Sequence, residues 1–433
     1  MTTTSERVLV EAIPNFDRQE VTLRGWVSRI RVLGKTVFVV LRDCSGEVQC
    51  VAAPESIREY HLKLEDTVEI VGRVRQEVRA KLGHELDILR VRVLSRSGAN
   101  LPFTSFSNLE SVNPDTLVEY RPLALRNQGV GNIFRVQGAL LKFFREFLAQ
   151  RRFTEIITSK LVSLGTEGGS NLFEVKYFER VAYLAQSPQF YKEHCVAGFE
   201  RVFETGHLYR AEPHATSRHL TEYYSLDLEL GFIDGPEDVM QLERELLTYI
   251  FENLNTHFAD VLTWYRTQPL PSMLKVPCWE FESCLALLKE HFNRTDLADD
   301  LDPEAERQLC QLAEKDSGVP AVFVLGFPLW GRPFYTAPRG TRGAANSFDL
   351  LYQGIEITTG GQRLHRRDDL AKPLHARGIA PSNFESHLKM FDLGMPPHGG
   401  FAIGLERLTA QVLHLSNVRQ ATLYPRDRAK LTP

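Results

Sequence analysis

Several kinds of chemistry are missing from this 433-residue chain. Its cysteines (Cys44, Cys50, Cys195, Cys278, Cys284 and Cys310) form neither a CxxC pair nor a zinc spacing. They read as reduced thiols, and neither a disulfide scaffold nor a zinc module is expected. No GxGxxG and no GxxxxGK run is present, which argues against Rossmann and P-loop chemistry. No apolar run approaches the roughly 18 residues of a membrane helix. The start, MTTTSERVLVEAI, has no signal-peptide pattern. A cytoplasmic protein with no membrane partner is expected. Neither sign of charge dominates: 51 Lys and Arg stand against 55 Asp and Glu, a formal net charge of −4. That does not suggest bulk electrostatic binding of nucleic acid and does not exclude it either, because a local basic face is enough. Internal repeats and low-complexity segments are also absent.

What remains is ordinary globular composition, 43% hydrophobic and 24% charged, long enough for two or three domains. Residues from about 20 to 95 carry five β-type runs (VTLRGWV, VFVVLRD, EVQCVAA, TVEIVGRV and LDILRVRVL) punctuated by Gly25, Gly34, Gly46, Gly72 and Gly83. One short helix is expected near Ser56 to Leu64. Five strands in this space suit a small Greek-key barrel of the OB type. Such barrels bind single-stranded nucleic acid with basic groups and exposed aromatics. Arg24, Arg29, Arg31 and Lys35 cluster around Trp26 and Phe38 here; the alternative is that both aromatics lie in the barrel core. We expect a barrel domain over 1–97, a Ser/Asn/Gly/Pro-rich hinge over 98–125, and a second domain over 126–433.

The second domain opens on a strong helix from Ile133 to Arg152. Phe134, Val136, Leu140, Leu141, Phe143, Phe144, Phe147 and Leu148 keep the helical period. So broad an apolar face suggests packing beyond its own domain, a second subunit included. Thereafter strands and helices mix without a βαβ rhythm, which points to the α+β class with an antiparallel sheet flanked by helices.

Four stretches can carry chemistry. The one the rest is arranged around is Phe203 to Glu229, two strands joined by a polar loop. The first strand ends at Arg210-Ala211-Glu212 and the loop returns through Arg218, His219, Glu222 and Tyr223. Leu226, Leu228 and Leu230 then alternate with Asp227 and Glu229, the period of a strand with one face buried. Gly165 to Ser170 presents Glu167 beside two adjacent glycines, as a mobile loop or a plain turn. Gln186 to Lys192 starts a helix on which Gln189 and Lys192 share a face. From Ser347 to Arg363 two strands bring Asp349 and Glu356 together as hard oxygen ligands suited to Mg²⁺ between phosphates. Finally Gly399 to Arg407 runs a glycine-rich strand into a helix, letting backbone approach a flat ligand closely.

In order and spacing these pieces resemble the signature motifs of class II aminoacyl-tRNA synthetases. Motif 1 resembles Phe153 to Ser159, motif 2 Arg210 to Tyr223, and motif 3 Gly400 to Arg407. The barrel-first layout is that of subclass IIb, the aspartate, asparagine and lysine enzymes. Ser187-Pro188-Gln189-Phe190-Tyr191-Lys192 and the ending Tyr424 to Arg428 with Leu431-Thr432-Pro433 are most similar to the aspartate group. The chain has no room for the large bacterial insertion and looks like the compact archaeal type. Ser159 departs from the proline usual in motif 1, and Thr359 from a usual serine.

The resemblance implies homodimers, ATP, Mg²⁺ and tRNA, with aspartate joined to tRNA(Asp) through an aspartyl-adenylate. Arg210, His219 and Arg407 would be the catalytic cations. Arg210, Glu212, Arg218, His219, Tyr223, Glu356 and Arg407 would hold ATP, with Asp349, Glu356 and Thr359 on the metal. Glu167, Gln189, Lys192, Asp227 and Arg363 would take aspartate. Phe38 would stack on an anticodon base beside Arg31, Gln49 and Glu85. Charging of tRNA(Asn) as well, feeding a tRNA-dependent amidotransferase, is the expectation for tRNA choice, because no barrel feature near Ser28 or Lys81 to Gly83 rejects it. The rival readings are an asparaginyl enzyme and a non-catalytic RNA-binding paralogue.

Overall fold

The computed structural model describes residues 6–165, 172–212, 216–341 and 343–433. Their contacts divide the chain into two compact units, Met1–Gly131 and Asn132–Pro433.

In the first unit, five strands close a barrel in the order β1-β2-β3-β5-β4. They are β1 (Glu20–Leu33), β2 (Thr36–Arg42), β3 (Glu47–Ala52), β4 (Thr67–Gln76) and β5 (His84–Ser95). The expected helix is the short α1 (Pro54–Arg58), between β3 and β4. Strand alternation sends Leu23, Val39, Leu41, Val48, Cys50, Ile70 and Leu86 inward as a closed apolar core. At Gly25 a side chain would collide with the Arg42 carbonyl, so glycine lets β1 and β2 approach where the barrel bends. Trp26 and Phe38 are half-buried and belong to the barrel's outside, not its core. The residues expected to form a hinge carry the helical turns Leu109–Ser111, Pro114–Glu119 and Arg121–Ala124. They bury Phe103, Leu123 and Ala124 in a small cluster of their own. Glu65 ties this segment to the barrel, accepting from the Ser105 backbone at 2.8 Å and from Arg126 Nη1 at 3.2 Å.

The second unit is an eight-stranded sheet with helices against it. In chain order its framework is α2 (Gln128–Gln150), β6 (Thr154–Glu155), α3 (Gln189–Phe199), β7 (Arg201–Tyr209), β8 (Glu222–Gly231) and α4 (Pro236–His257). There follow β9 (Cys278–Glu280), α5 (Phe281–Phe292), α6 (Pro303–Ser317), β10 (Ala321–Leu325), β11 (Ser347–Tyr352) and β12 (Ile355–Gln362). Last come α7 (Arg367–Ala376), β13 (His398–Gly404) and α8 (Leu405–Val412). Spatially the strands run β9-β10-β11-β12-β13-β8-β7-β6, antiparallel except at the two outermost pairs. The α+β expectation holds.

One face of the sheet carries Leu226, Leu228, Phe348, Leu350, Phe401 and Ile403, packed against α2 and α4. In α2, Val136, Leu140, Phe144 and Leu148 are fully covered, each such side chain contributing about 1.5–3 kcal/mol relative to exposure. The other face is polar. Cross-strand pairing lines up Asp349, Thr359, Ala402, Asp227 and Glu204 as direct neighbours on β11, β12, β13, β8 and β7. The sequence pattern suggested that β8 buries one face only. In fact Ser225 to Gly231 is buried on both: the leucines enter the core, and the carboxylates lie against Lys192 of α3.

Candidate active site

The polar face collects its charges in two groups. The first lies between α3 and β8. A helical spacing of three places Gln189 and Lys192 on the buried side of α3, 2% and 1% exposed. Lys192 Nζ donates to Asp227 Oδ1 at 3.0 Å and to the Leu228 carbonyl at 3.4 Å, and lies 3.5 Å from Glu229 Oε2. Arg363, just past β12, donates from Nε to Glu229 Oε1 at 2.9 Å. Its Nη2 donates to the Gly400 carbonyl at 3.1 Å and to Gln189 Oε1 at 3.4 Å. Any side chain at Gly400 would strike the Leu228 carbonyl and the Glu229 carboxylate, so motif 3's glycine is required by this packing. Ser225 Oγ holds the second oxygen of Asp227 at 2.5 Å.

The electrostatics follow from the geometry. Burial opposes the Arg363 charge, but Glu229 and the Tyr335 ring region outweigh it and keep the guanidinium firmly protonated. Burial likewise opposes ionisation of Glu229, and Arg363 with Lys192 overcomes it, holding the carboxylate below its ordinary range. Two basic and two acidic side chains thus sit together away from water, and Arg363 and Glu229 hold each other in the charged form.

The second group surrounds the motif 2 loop. His219 is held below its usual value by burial and then by Arg407, with Arg218 and Arg210 adding and Glu212 opposing. Its Nδ1 is 2.7 Å from Thr216 Oγ1. The Arg210 guanidinium stands 5.6 Å from the centre of the Tyr223 ring. Arg407, on the first turn of α8, donates to the Glu356 carbonyl at 3.1 Å and to Glu356 Oε1 at 3.2 Å. Arg218 donates to Glu306 Oε2 at 2.9 Å and to the Gly354 carbonyl at 3.2 Å. Glu306, pushed up to about 7 chiefly by burial, also accepts from the Glu356 backbone at 3.2 Å.

Asp349 and Glu356 approach one another at the β11–β12 end. Burial raises the Asp349 carboxyl, Arg332 opposes, and Glu356 raises it further. Arg332 covers Asp349 with two hydrogen bonds, at 3.1 and 2.7 Å. Thr359 Oγ1 donates to Glu356 Oε1 at 3.2 Å. The donor set is entirely oxygen, with two repelling carboxylates that a divalent cation would reconcile; these residues fit a hard ion such as Mg²⁺. Among the described residues no larger His, Cys, Asp and Glu cluster is placed to hold a metal.

Of the residues singled out in the sequence, Gln189, Lys192, Asp227 and Arg363 come together, as do Arg210, His219, Tyr223, Glu356 and Arg407. Glu212 enters through its influence on His219. Glu167 lies outside the described residues. The sequence reading passed over Glu229, Glu306 and Arg332. Glu229 was legible in principle: two residues after Asp227 on a strand, it must share its face. Arg332, on a loop after Pro328, gave no such signal.

In the first unit, Arg31 pairs across strands with Phe38, Phe38 with Val51, and Val51 with Asp87. Gln49 Nε2 donates to Glu85 Oε2 at 2.7 Å, and Arg75 clasps the same carboxylate. Arg31, Phe38, Gln49 and Glu85 therefore occupy one outer face of the barrel. Trp26, beside it, lies between the guanidinium groups of Arg42 and Arg126, each 4.9 Å away.

Comparison with known proteins agrees with both units. Residues 113–428 match the family model of class II tRNA synthetases (D, K and N), and residues 21–94 the OB-fold nucleic acid binding domain. The aspartate–tRNA(Asp/Asn) ligase of Thermus thermophilus is 44% identical over 99% of this chain and all of its own. That of Deinococcus radiodurans is 43% identical over the whole of both chains. The asparaginyl-tRNA synthetase of Pyrococcus horikoshii, solved with asparaginyl-adenylate, superposes with a TM-score of 0.91 at 30% identity, over 99% of this chain and 100% of that one. The chain belongs to the class II tRNA synthetases of the D, K and N group, enzymes that use ATP to load tRNA.

Proposed function

We propose that this enzyme activates L-aspartate and transfers it to tRNA(Asp) and tRNA(Asn). The observation that carries the choice of amino acid is the pairing of Lys192 and Arg363 at the base of the pocket, 1% and 7% exposed. Both are basic side chains in a site closed to water, and a substrate side-chain carboxylate gives them an anionic partner when Asp227 and Glu229 turn to the substrate ammonium. An amide cannot do this, and a buried polar site rejects a ligand that leaves it unpaired.

In adenylate formation the substrate's α-carboxylate attacks the α-phosphorus of ATP and pyrophosphate leaves as the α–β bridge breaks; a terminal ribose hydroxyl of tRNA then attacks the anhydride carbonyl and AMP leaves, so no protein nucleophile is needed. Arg210 neutralises the α-phosphate and the attacking carboxylate together through its planar fork. His219 and Arg407 bind the outer phosphates, and Tyr223 with Arg407 encloses the adenine, whose amino group Glu212 reads. Arg218, held by Glu306, braces the loop's return. Asp349, Glu356 and Thr359 would hold Mg²⁺, which supplies charge neutralisation of the phosphates. Arg31, Phe38, Gln49 and Glu85 bind anticodon bases by stacking and edge contacts. We further assign a homodimer, a cytoplasmic location and an amidotransferase that converts Asp-tRNA(Asn).

The relatives from Thermus and Deinococcus support the dual tRNA range. The test is charging of tRNA(Asp) and tRNA(Asn) transcripts with labelled aspartate and, separately, asparagine. Aspartate on both transcripts is expected. Aspartate on tRNA(Asp) alone overturns the dual range, and incorporation of asparagine overturns the role of Lys192 and Arg363.

A further inference from the structure

Behind the amino-acid pocket lies a carboxyl group that the reaction described above does not use. Glu193 follows Lys192 on α3 and is fully buried. One turn earlier, Gln189 Nε2 donates to Glu193 Oε1 at 2.7 Å and to Glu229 Oε2 at 3.3 Å. Those two acceptors fix which way the amide faces, and so direct Gln189 Oε1 to Arg363. The second oxygen of Glu193 has no hydrogen-bond partner among the described residues and lies 3.5 Å from His387 Nε2. His387 Nδ1 is in turn 2.8 Å from His194 Nε2, on the part-buried side of α3.

A charge count shows what state this arrangement needs. Lys192 and Arg363 are balanced by Asp227 and Glu229, so an ionised Glu193 would leave one excess negative charge where an anionic side chain must bind. The groups facing Glu193 are Glu229 from β8, Arg363 from the end of β12, Lys192 on its own helix, and His387 from the turn Glu385–Leu388; His194 and His398 lie behind His387. Burial, then Glu229, pushes the Glu193 carboxyl up to about 8, against Gln189, Arg363 and Lys192. Burial, with His194 and His398, keeps His387 neutral, down at about 3. A neutral acid can donate from Oε2 to the His387 Nε2 lone pair, leaving His387 Nδ1–H to donate to His194.

We propose that Glu193 is a positioning residue that must remain a neutral acid: it orients Gln189 against Arg363 and keeps the pocket free of the extra charge that would repel an aspartate side chain. This rests on aspartate being the substrate. Loss of the Glu193 proton then weakens aspartate binding without touching ATP.

The test is ATP–pyrophosphate exchange by the full chain at saturating ATP from pH 6 to 9, separating KM for aspartate from kcat. Wild type is expected to show KM rising above pH 8 by up to tenfold per pH unit, as one titrating group dictates. Glu193→Gln has the shape of the neutral acid; its KM should stay within about threefold of the wild-type neutral-pH value and remain flat to pH 9. Glu193→Leu, which cannot hold Gln189, should raise KM across the range more than it lowers kcat. A wild-type KM flat with pH, or an alkaline rise that persists in Glu193→Gln, overturns the proposal while leaving aspartate as the substrate. Absence of aspartate-dependent exchange at every pH overturns that reading and this one with it.

Discussion

The proposed amino-acid pocket and the proposed anticodon face of the barrel both present charged side chains, and they do so in opposite ways. In the pocket, Lys192, Asp227, Glu229 and Arg363 are almost wholly removed from water, and each is paired. On the barrel, Arg31 is exposed and Phe38 half-buried, in reach of solvent that shares the work. Buried charges are costly when one partner is removed, because the others stay behind uncompensated. Exposed ones cost little. The pocket should therefore fail all at once and the barrel by degrees.

The sharpest way to break that contrast is Lys192→Leu, which leaves Asp227 and Glu229 with Arg363 alone. Aspartate-dependent ATP–pyrophosphate exchange should fall by about 10³-fold or more, the scale for a site whose buried polar groups lose their match. Circular dichroism should show the protein still folded. A variant within tenfold of wild type would mean the pocket is as forgiving as the barrel.

Phe38→Ala is the matching change on the exposed face. Losing one stacked base is worth about 1–3 kcal/mol, so KM for tRNA should rise about 5- to 150-fold. Exchange without tRNA should not move. A matching fall in exchange would show that the two surfaces are not separate devices.

A third change asks whether the interior tolerates any unbalanced acid. Glu243 on α4 is fully buried, and burial pushes its carboxyl up to about 8. Its folded pKa lies above the unfolded one, so its contribution is complete below about pH 4.5 and is lost as pH rises to about 8. Glu243→Gln should therefore leave stability in urea nearly unchanged at pH 4.5 and increase it by about 1–3 kcal/mol at pH 8.5. Equal effects at both pH values would show that the acid finds a charged partner after all.

The smallest effect is expected at a buried acid that acts on the nucleotide only through its neighbours. Glu306 joins Arg218 to the Glu356 backbone, and its carboxyl at about 7 titrates in the working range. Glu306→Gln should raise KM for ATP about three- to tenfold at pH 8, a loss of about 1 kcal/mol, and less at pH 6. In wild type, KM for ATP should rise as pH falls through 7. A pH-independent defect would reduce Glu306 to a packing role.

The same contrast explains what the sequence made legible. The barrel strands could be read because one face is core and the other open, so Leu23, Val39 and Leu41 alternate with polar neighbours. Lys192 and Asp227 were reachable through motif spacing. Glu229 shares the Asp227 face by strand period alone, but its alternation with leucines looks like a solvated strand face, and only the helix α3 laid over it makes that face interior. Glu306 and Arg332 sit in segments whose local pattern is that of surface helix and loop; their partners are supplied by distant strands. The pairing of Glu193 with His387, 194 positions on, has no local signature either. Its hydrogen-bonded extension to His194 belongs to tertiary structure alone.

The row of cross-strand neighbours from Asp349 through Thr359 and Ala402 to Asp227 has a metric consequence. Adjacent strands are about 4.8 Å apart, so the backbone positions of Asp349, proposed for the metal, and Asp227, proposed for the amino acid, are about 14 Å from each other, three strand steps. Ladder hydrogen bonds, rather than side chains, fix that interval. On the proposed function the sheet would set the span between the metal end and the amino-acid end, so that side chains at one end could change without moving the other.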